Sequence, residues 1–173
     1  MTYDGHLIVV SSRGLIAIDR ELSGQPQQIR FGDDETVSNS IAVDEKGGIY
    51  VASDKIMRKV VWTGMKLSTE QADGAWSAPY DFGRQPPAVK FGIGTGSTPT
   101  LMGFGEGSDE LVVITDGADH MKLVAFWRNE IPRQSGPVGR CARQRSGRRT
   151  AARHAALRMG SGRGQVDVGV GAR

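Results

Sequence analysis

Apolar residues in the first three quarters of the chain come in short runs, each bounded by glycine, acidic or other turn-forming residues. "HLIVVSS" (His6–Ser12) and "GLIAID" (Gly14–Asp19) open the series, and "QQIRF" (Gln27–Phe31) and "NSIAVD" (Asn39–Asp44) follow. "GIYVAS" (Gly48–Ser53) and "IMRKVVW" (Ile56–Trp62) form the next pair. "TLMGFG" (Thr100–Gly105), "ELVVIT" (Glu110–Thr115) and "MKLVAFW" (Met121–Trp127) close it. The runs are rich in β-branched residues, and none sustains a 3.6-residue apolar period with caps. They predict short strands joined by turns, and no helix in residues 1–133. Arg13-Gly14 reads as a hairpin turn, because glycine accepts a positive φ without strain.

The runs recur in sets. "SNSIAVDEKGGIYVASDKIMRKVVW" (Ser38–Trp62) and "STPTLMGFGEGSDELVVITDGADHMKLVAFW" (Ser97–Trp127) share one plan. Each has a polar start, an apolar strand, a turn with glycine and acid, and a second apolar strand. A hydroxyl-acid pair follows, Ser53-Asp54 or Thr115-Asp116, and then a third strand ending in tryptophan. "DGHLIVVSSRGLIAID" (Asp4–Asp19) fits the same unit with its first strand missing. Ser11 and Ser53 are 42 residues apart and Ser53 and Thr115 are 62 apart. The longer interval holds "TEQADGAWSAPYDFGRQPPAVKFGIGTG" (Thr69–Gly96), read as an outer strand near Trp76–Phe82 followed by a long Gly/Pro loop. Units of four short strands every ~40–50 residues are the pattern of propeller blades. The predicted fold is all-β: a partial β-propeller of two to three four-stranded antiparallel blades over residues 1–133. Residues 134–173 form a separate, disordered or weakly helical tail.

"SNSIAVDEKGGIYVAS" resembles blades of the six-bladed lactonase and strictosidine-synthase-like propellers, and "GLIAIDRELSGQ" (Gly14–Gln25) resembles the strand-turn signature of quinoprotein-type propellers. The likeness covers roughly residues 4–133 and rests on generic blade chemistry. In the lactonase-like family, side-chain oxygens at the channel mouth hold a divalent cation, usually Ca²⁺. Asn39 resembles one such ligand by its place before "SIAVD"; the equivalent place in the next repeat is Pro99, flanked by Thr98 and Thr100, which departs from a ligand pattern. The alternative for Asn39 is that it shapes the turn into its strand.

Charge divides the chain at the same point. Residues 1–133 hold 13 Lys+Arg against 18 Asp+Glu, whereas residues 134–173 hold nine Arg, no Lys and a single acid, Asp167. The basic pI of about 9.2 therefore belongs to the tail. Arg, Gly and Ala supply 23 of the tail's 40 residues. Basic arms that bind nucleic acid mix in Lys or interleave aromatics, and neither feature is present. Such a composition is what GC-rich DNA yields in an unintended frame, so the tail is expected to be out of frame. The alternatives are a Gly/Arg-rich linker and a non-specific nucleic-acid-binding arm. "TAARHAALRM" (Thr150–Met159) has good helix propensity. Cys141 is the sole cysteine, which excludes an intrachain disulfide and a thiolate metal site. The start of the chain lacks the features of a signal peptide and no run reaches ~18 apolar residues. The chain as written is expected in the cytoplasm; the alternative is that its intact parent is exported.

Candidate chemistry is sparse. "GIGTGSTPTLMGFG" (Gly92–Gly105) invites a phosphate-loop reading, but Ser97 stands where the dinucleotide pattern wants glycine, no Gly-Lys-Ser/Thr follows, and Pro99 precedes a strand rather than a helix. "DGADH" (Asp116–His120) lacks the alternating ligands and late Glu of a calcium loop and reads as a turn with Gly117 at positive φ. His6, His120 and His154 are too scattered for zinc. The channel-mouth candidates are thus Asn39, Thr98, Thr100 and Asp116, with Asn39 as the metal candidate. The functional expectation is a ligand- or partner-binding propeller, the partner being a small molecule or a protein, with no activity in this chain alone. The alternative is a piece of a propeller enzyme, either a metal-dependent lactonase-like hydrolase or a quinone-dependent dehydrogenase.

Overall fold

The computed structural model describes residues 1–84, 92–103, 110–129 and 157–158. Among the described residues, twelve strands form three antiparallel sheets. The first sheet is a meander of β1 (Leu7–Ser11), β2 (Gly14–Ile18) and β3 (Gln27–Arg30). The second contains β4 (Ala42–Val43), β5 (Gly48–Ala52), β6 (Ile56–Trp62), β7 (Leu67–Ser68) and β8 (Trp76–Pro79). Its outer position is shared: β7 pairs with the end of β6, Trp62 opposite Leu67, and β8 pairs with its start, Ile56 opposite Pro79. A three-residue 3-10 turn, Gln71–Asp73, lies between them. The third sheet runs β12-β11-β10-β9, from β9 (Thr100–Met102), β10 (Leu111–Thr115), β11 (Lys122–Trp127) and β12 (Leu157–Arg158). None of the three closes on itself.

The predicted runs thus became strands, including the outer strand near Trp76. Residues 150–159 were expected to favour helix. Leu157 and Arg158 instead pair with Leu123 and Lys122. The frame of residues 134–173 and the rest of that tail lie outside the described residues, as do most of the loop before Gly92 and the turn after Gly103.

The sheets stack face to face, and the middle one is covered on both sides. All five residues of β5 are buried. Side chains alternate across a strand, so Ile49 and Val51 face the first sheet and Tyr50 and Ala52 face the third. The first interface gathers Leu15, Ala17, Val37, Ile49, Val51, Val60, Trp62 and Leu67. The second gathers Tyr50, Met57, Trp76, Tyr80, Val112, Ile114 and Phe126, with Trp76 and Phe126 stacked at 5.6 Å. Each large apolar side chain so buried stabilises the fold by about 1.5–3 kcal/mol.

Backbone pairing corrects the repeat alignment by one residue. Ser53 N–H donates to Ile56 O, and Asp116 N–H donates to Lys122 O. Ser53 is therefore the counterpart of Asp116, not of Thr115. At the other end of the third strand, Trp62 N–H bonds Gly47 O and Arg128 N–H bonds Glu110 O, so Trp62 matches Arg128 rather than Trp127. The sequence alignment erred because a one-residue slip in a strand exchanges its two faces, and apolar residues occupy both faces here.

Two glycine expectations also change. Gly14 opens β2 rather than the turn, which is Ser12-Arg13; a Cβ there would stand 2.0 Å from Ile29 O on the neighbouring strand. Gly117 is not among the positive-φ glycines. Its Cβ would meet Ile93 O at 2.3 Å and Gly94 O at 2.7 Å. Both are glycine because another backbone passes close by.

Candidate functional site

The β5–β6 and β10–β11 hairpins and the segments 31–40 and 92–98 meet at one end of the stack. All four sequence candidates lie on these segments or at their edge, in three linked corners.

The first corner joins the first two sheets. Gly32–Glu35 carries three consecutive acids, each paired to a base from a different place: Asp33 to Arg13 at 3.3 Å, Asp34 to Lys55 at 2.7 Å and Glu35 to Arg58. Only in the last pair is the acid buried. Arg58 holds Glu35 in a two-pronged grip of 2.6 and 2.7 Å, and Ser53 Oγ donates to the same carboxylate at 2.6 Å. Burial pushes the Glu35 carboxyl up, but Arg58 and Ser53 together hold it below the ordinary carboxylate range. The Arg58 guanidinium also lies 4.7 Å over the Phe31 ring. This assembly is a strap, and sequence reasoning missed it. The signal was a run of three acids following a strand.

The second corner contains Asn39. Its side-chain amide donates to Thr95 O at 2.8 Å, so it fastens segment 92–98 to the start of β4. Tyr80 continues the tie: its hydroxyl donates to Ser53 O and accepts from Thr95 N–H. Burial raises the Tyr80 hydroxyl to about 12. Gly94 passes so close that a Cβ would lie 2.3 Å from Asp54 Cα and 2.5 Å from the Tyr80 hydroxyl. Within "GIGTGS", Gly94 thus serves a close backbone approach, whereas Gly92 takes a positive φ of 94°. Thr95, Ser97 and Thr115 form a triangle of hydroxyls at 3.0, 3.1 and 3.4 Å. Thr98 and Thr100 are exposed on either side of buried Pro99. Thr100 sits opposite Val113 on the edge strand.

The third corner contains Asp116. It is 1% exposed, and its Oδ1 accepts from Lys122 N–H at 2.9 Å and more weakly from Ala118 N–H. The Lys122 ammonium lies 3.5 Å from Asp116 Oδ2 and 2.6 Å from Asp81 Oδ2. Its hydrogen bond to Asp81 raises the Lys122 pKa. A cation is thus already tethered between the two acids of this corner. Asn39 is not among them; its amide is turned to Thr95. Among the described residues no group of three or more His, Cys, Asp or Glu side chains is placed to hold a metal ion.

The opposite end of the stack is also polar but closed. Asp44 Oδ1 accepts from Gly48 N–H and Lys46 N–H, and its Oδ2 accepts from the Tyr50 hydroxyl at 2.8 Å. Burial, and then the Asp44 charge, pushes the Tyr50 hydroxyl up. Lys59 reaches between the sheets to donate to Arg128 O at 2.8 Å, and burial lowers its pKa. A shallow cleft of about 150 Å³ opens nearby between the first two sheets, lined by His6, Asp19, Gln25, Gln27, Trp62 and Met65 among others. The His6 ring lies 4.3 Å from the Trp62 ring, tilted by 42°, and Asp4 accepts from Trp62 Nε1 at 2.7 Å.

No family model matches the chain. It is 41% identical over 138 residues to an uncharacterized protein of Archaeoglobus fulgidus, a match that takes in 76% of this chain and 25% of the relative. The chain therefore spans about a quarter of the length of the relative it matches. No solved structure matches. Among the described residues no helix is long and apolar enough to cross a membrane.

Proposed function

We propose that this chain is a set of blades from a β-propeller-type binding protein, with its ligand or protein partner taken at the end where segments 31–40, 92–98 and 116–121 converge. The observation that carries this reading is the stack of three successive antiparallel sheets, the middle one buried on both faces. Each sheet covers its faces only against its neighbours, as a blade does. The first sheet comes from contiguous chain, as do the main strands of the second and β9–β11 of the third. The length of the Archaeoglobus relative, about four times the matched region, leaves room for the further blades such a ring requires.

A binding role is favoured over catalysis by the state of the polar groups at the converging end. Glu35 is committed to Arg58 and Ser53, Asn39 to Thr95, and Asp116 to two backbone amides and Lys122. A general base or a metal-activated water needs a group poised to give or take a proton, and these groups are spent on holding segments together. The exposed Thr98 and Thr100 remain for contact with a partner.

The deciding experiment is the structure of the complete Archaeoglobus relative. The expected result is a ring of four-stranded sheets about a channel, with the counterparts of Asn39 and Thr100 at its mouth. A two-sheet sandwich or an open solenoid would overturn the reading.

A further inference from the structure

The three sheets differ at one edge. β5 carries β4 on the edge away from β6, with Ala42 opposite Tyr50 and Val43 opposite Ile49. β10 carries β9 in the same place, with Leu101 opposite Val112. β1, the counterpart of β5 and β10, has β2 on one side and, among the described residues, no strand on the other.

The register says which groups this edge presents. Ser11 and Gly14 flank a two-residue turn and are opposite each other. In such a hairpin the flanking pair exchanges both backbone bonds, and bonded pairs alternate with unbonded ones. Ser11, Val9 and Leu7 therefore direct their amides to β2, and Val10 and Ile8 direct theirs outward. Ile8 is the counterpart of Tyr50, whose outward groups are met by Ala42. Val9 and Leu7 are the counterparts of Val51 and Ile49. Val9 is 49% exposed where Val51 is 1% exposed.

We propose that the outer edge of β1 is a docking site for an extended peptide segment of about five residues, added antiparallel to β1. It goes beyond the ring reading and requires only the three sheets. The segment has a small residue opposite Ile8 and branched apolar residues opposite Val9 and Leu7, as Ile41-Ala42-Val43 has at the equivalent place in the middle sheet. The backbone bonds supply affinity and the alternating side chains supply selectivity, the mode by which sheet edges take up peptide strands. Pairs of branched residues directly opposite one another favour this register over its neighbours.

The test is hydrogen exchange of the full chain, followed by NMR, with and without a synthetic peptide of sequence SNSIAVD capped at both ends. Without peptide, the Ile8 and Val10 amides are expected to exchange faster than those of Val9 and Ser11. Saturating peptide is expected to slow Ile8 and Val10 by about tenfold or more, with little change at β3. The same peptide bearing Ala42→Pro, which removes the amide facing Ile8, is expected to leave both unchanged. Unaltered exchange of Ile8 and Val10 at millimolar wild-type peptide would overturn the proposal, as would equal protection by the proline peptide. Protection that grows with protein concentration in the absence of peptide would overturn it in favour of a second copy of this chain. Protection without peptide at every protein concentration would overturn it in favour of cover from within the chain.

Discussion

Val9 and Val51 are the same residue at the same place in two neighbouring sheets. Each sits two residues before the serine, Ser11 or Ser53, that precedes its two-residue turn, and each points away from the following sheet. Val51 is sealed at 1% exposure because the first sheet lies over it, and Val9 is 49% exposed because no described element lies over it. Nothing in the local sequence distinguishes "IVVSS" from "YVAS" sufficiently to foretell this. The difference teaches that strand propensity and alternation act within a sheet, whereas burial is conferred by the sheet stacked beyond it. The middle sheet is the stable centre because it has two neighbours.

The comparison can be broken most forcefully at the second interface. Trp76→Ala removes a 4%-exposed ring stacked on Phe126, together with a donor to Arg128 O. A loss of about 3–5 kcal/mol is expected in a urea melt, and a loss under 1 kcal/mol would mean that the second and third sheets do not pack as described. Glu35→Ala comes next. It leaves the Arg58 guanidinium without its buried carboxylate, and a cost of about 3 kcal/mol is expected. The wild-type pH profile follows from the same pair. The Glu35 carboxyl is held below its ordinary value of 4.5, so its stabilisation is full above that value and is lost as pH falls through the lower folded-state value. Glu35→Gln should flatten that part of a stability-versus-pH curve, and an unchanged acid limb would exclude Glu35 as its source.

The valine pair sharpens the comparison directly. Val51→Thr buries a hydroxyl without a partner and is expected to cost about 1–3 kcal/mol, whereas Val9→Thr is expected to stay within about 0.5 kcal/mol of wild type. Equal costs would show that the outer face of the first sheet is covered after all. The smallest effect belongs to the segment Thr2–His6, which clasps Trp62 across the first interface. Bonds from the Thr2 hydroxyl, and then from Trp62 and His6, hold the Asp4 carboxyl at about 2 against the opposing pull of burial. Its contribution should therefore be full above the ordinary value of 3.8 and be lost progressively as pH falls from there through about 2, where the folded-state carboxyl takes up its proton. The Trp62 fluorescence, taken as the difference between wild type and Trp62→Phe, should hold steady until then.

Much of the fold was legible beforehand. Every predicted apolar run contains a strand within the described residues, and the outer strand at Trp76 was found through its spacing alone. The repeat was visible too, although its register was read one residue off because Ser53 and Asp116 cap equivalent turns with different chemistry. The site was less legible. Asn39, Thr98, Thr100 and Asp116 do fall on the converging segments or at their edge, but what they contact depends on chain far away in sequence. Asn39 meets Thr95, and Lys122 meets Asp81. Asp44 read as a turn residue and Glu35 was not singled out; both are buried hubs, for the same reason.

The sequence by itself determined where the strands lie and how they pair with near neighbours, because alternation and turn residues act over a few residues. It also marked the break in composition near residue 133. Only the tertiary structure decided which face of each strand is buried and which glycines are required by an approaching backbone. It likewise decided which acids are neutralised. These depend on the stacking of one sheet upon the next, and a packed face has no signature within the strand that it covers.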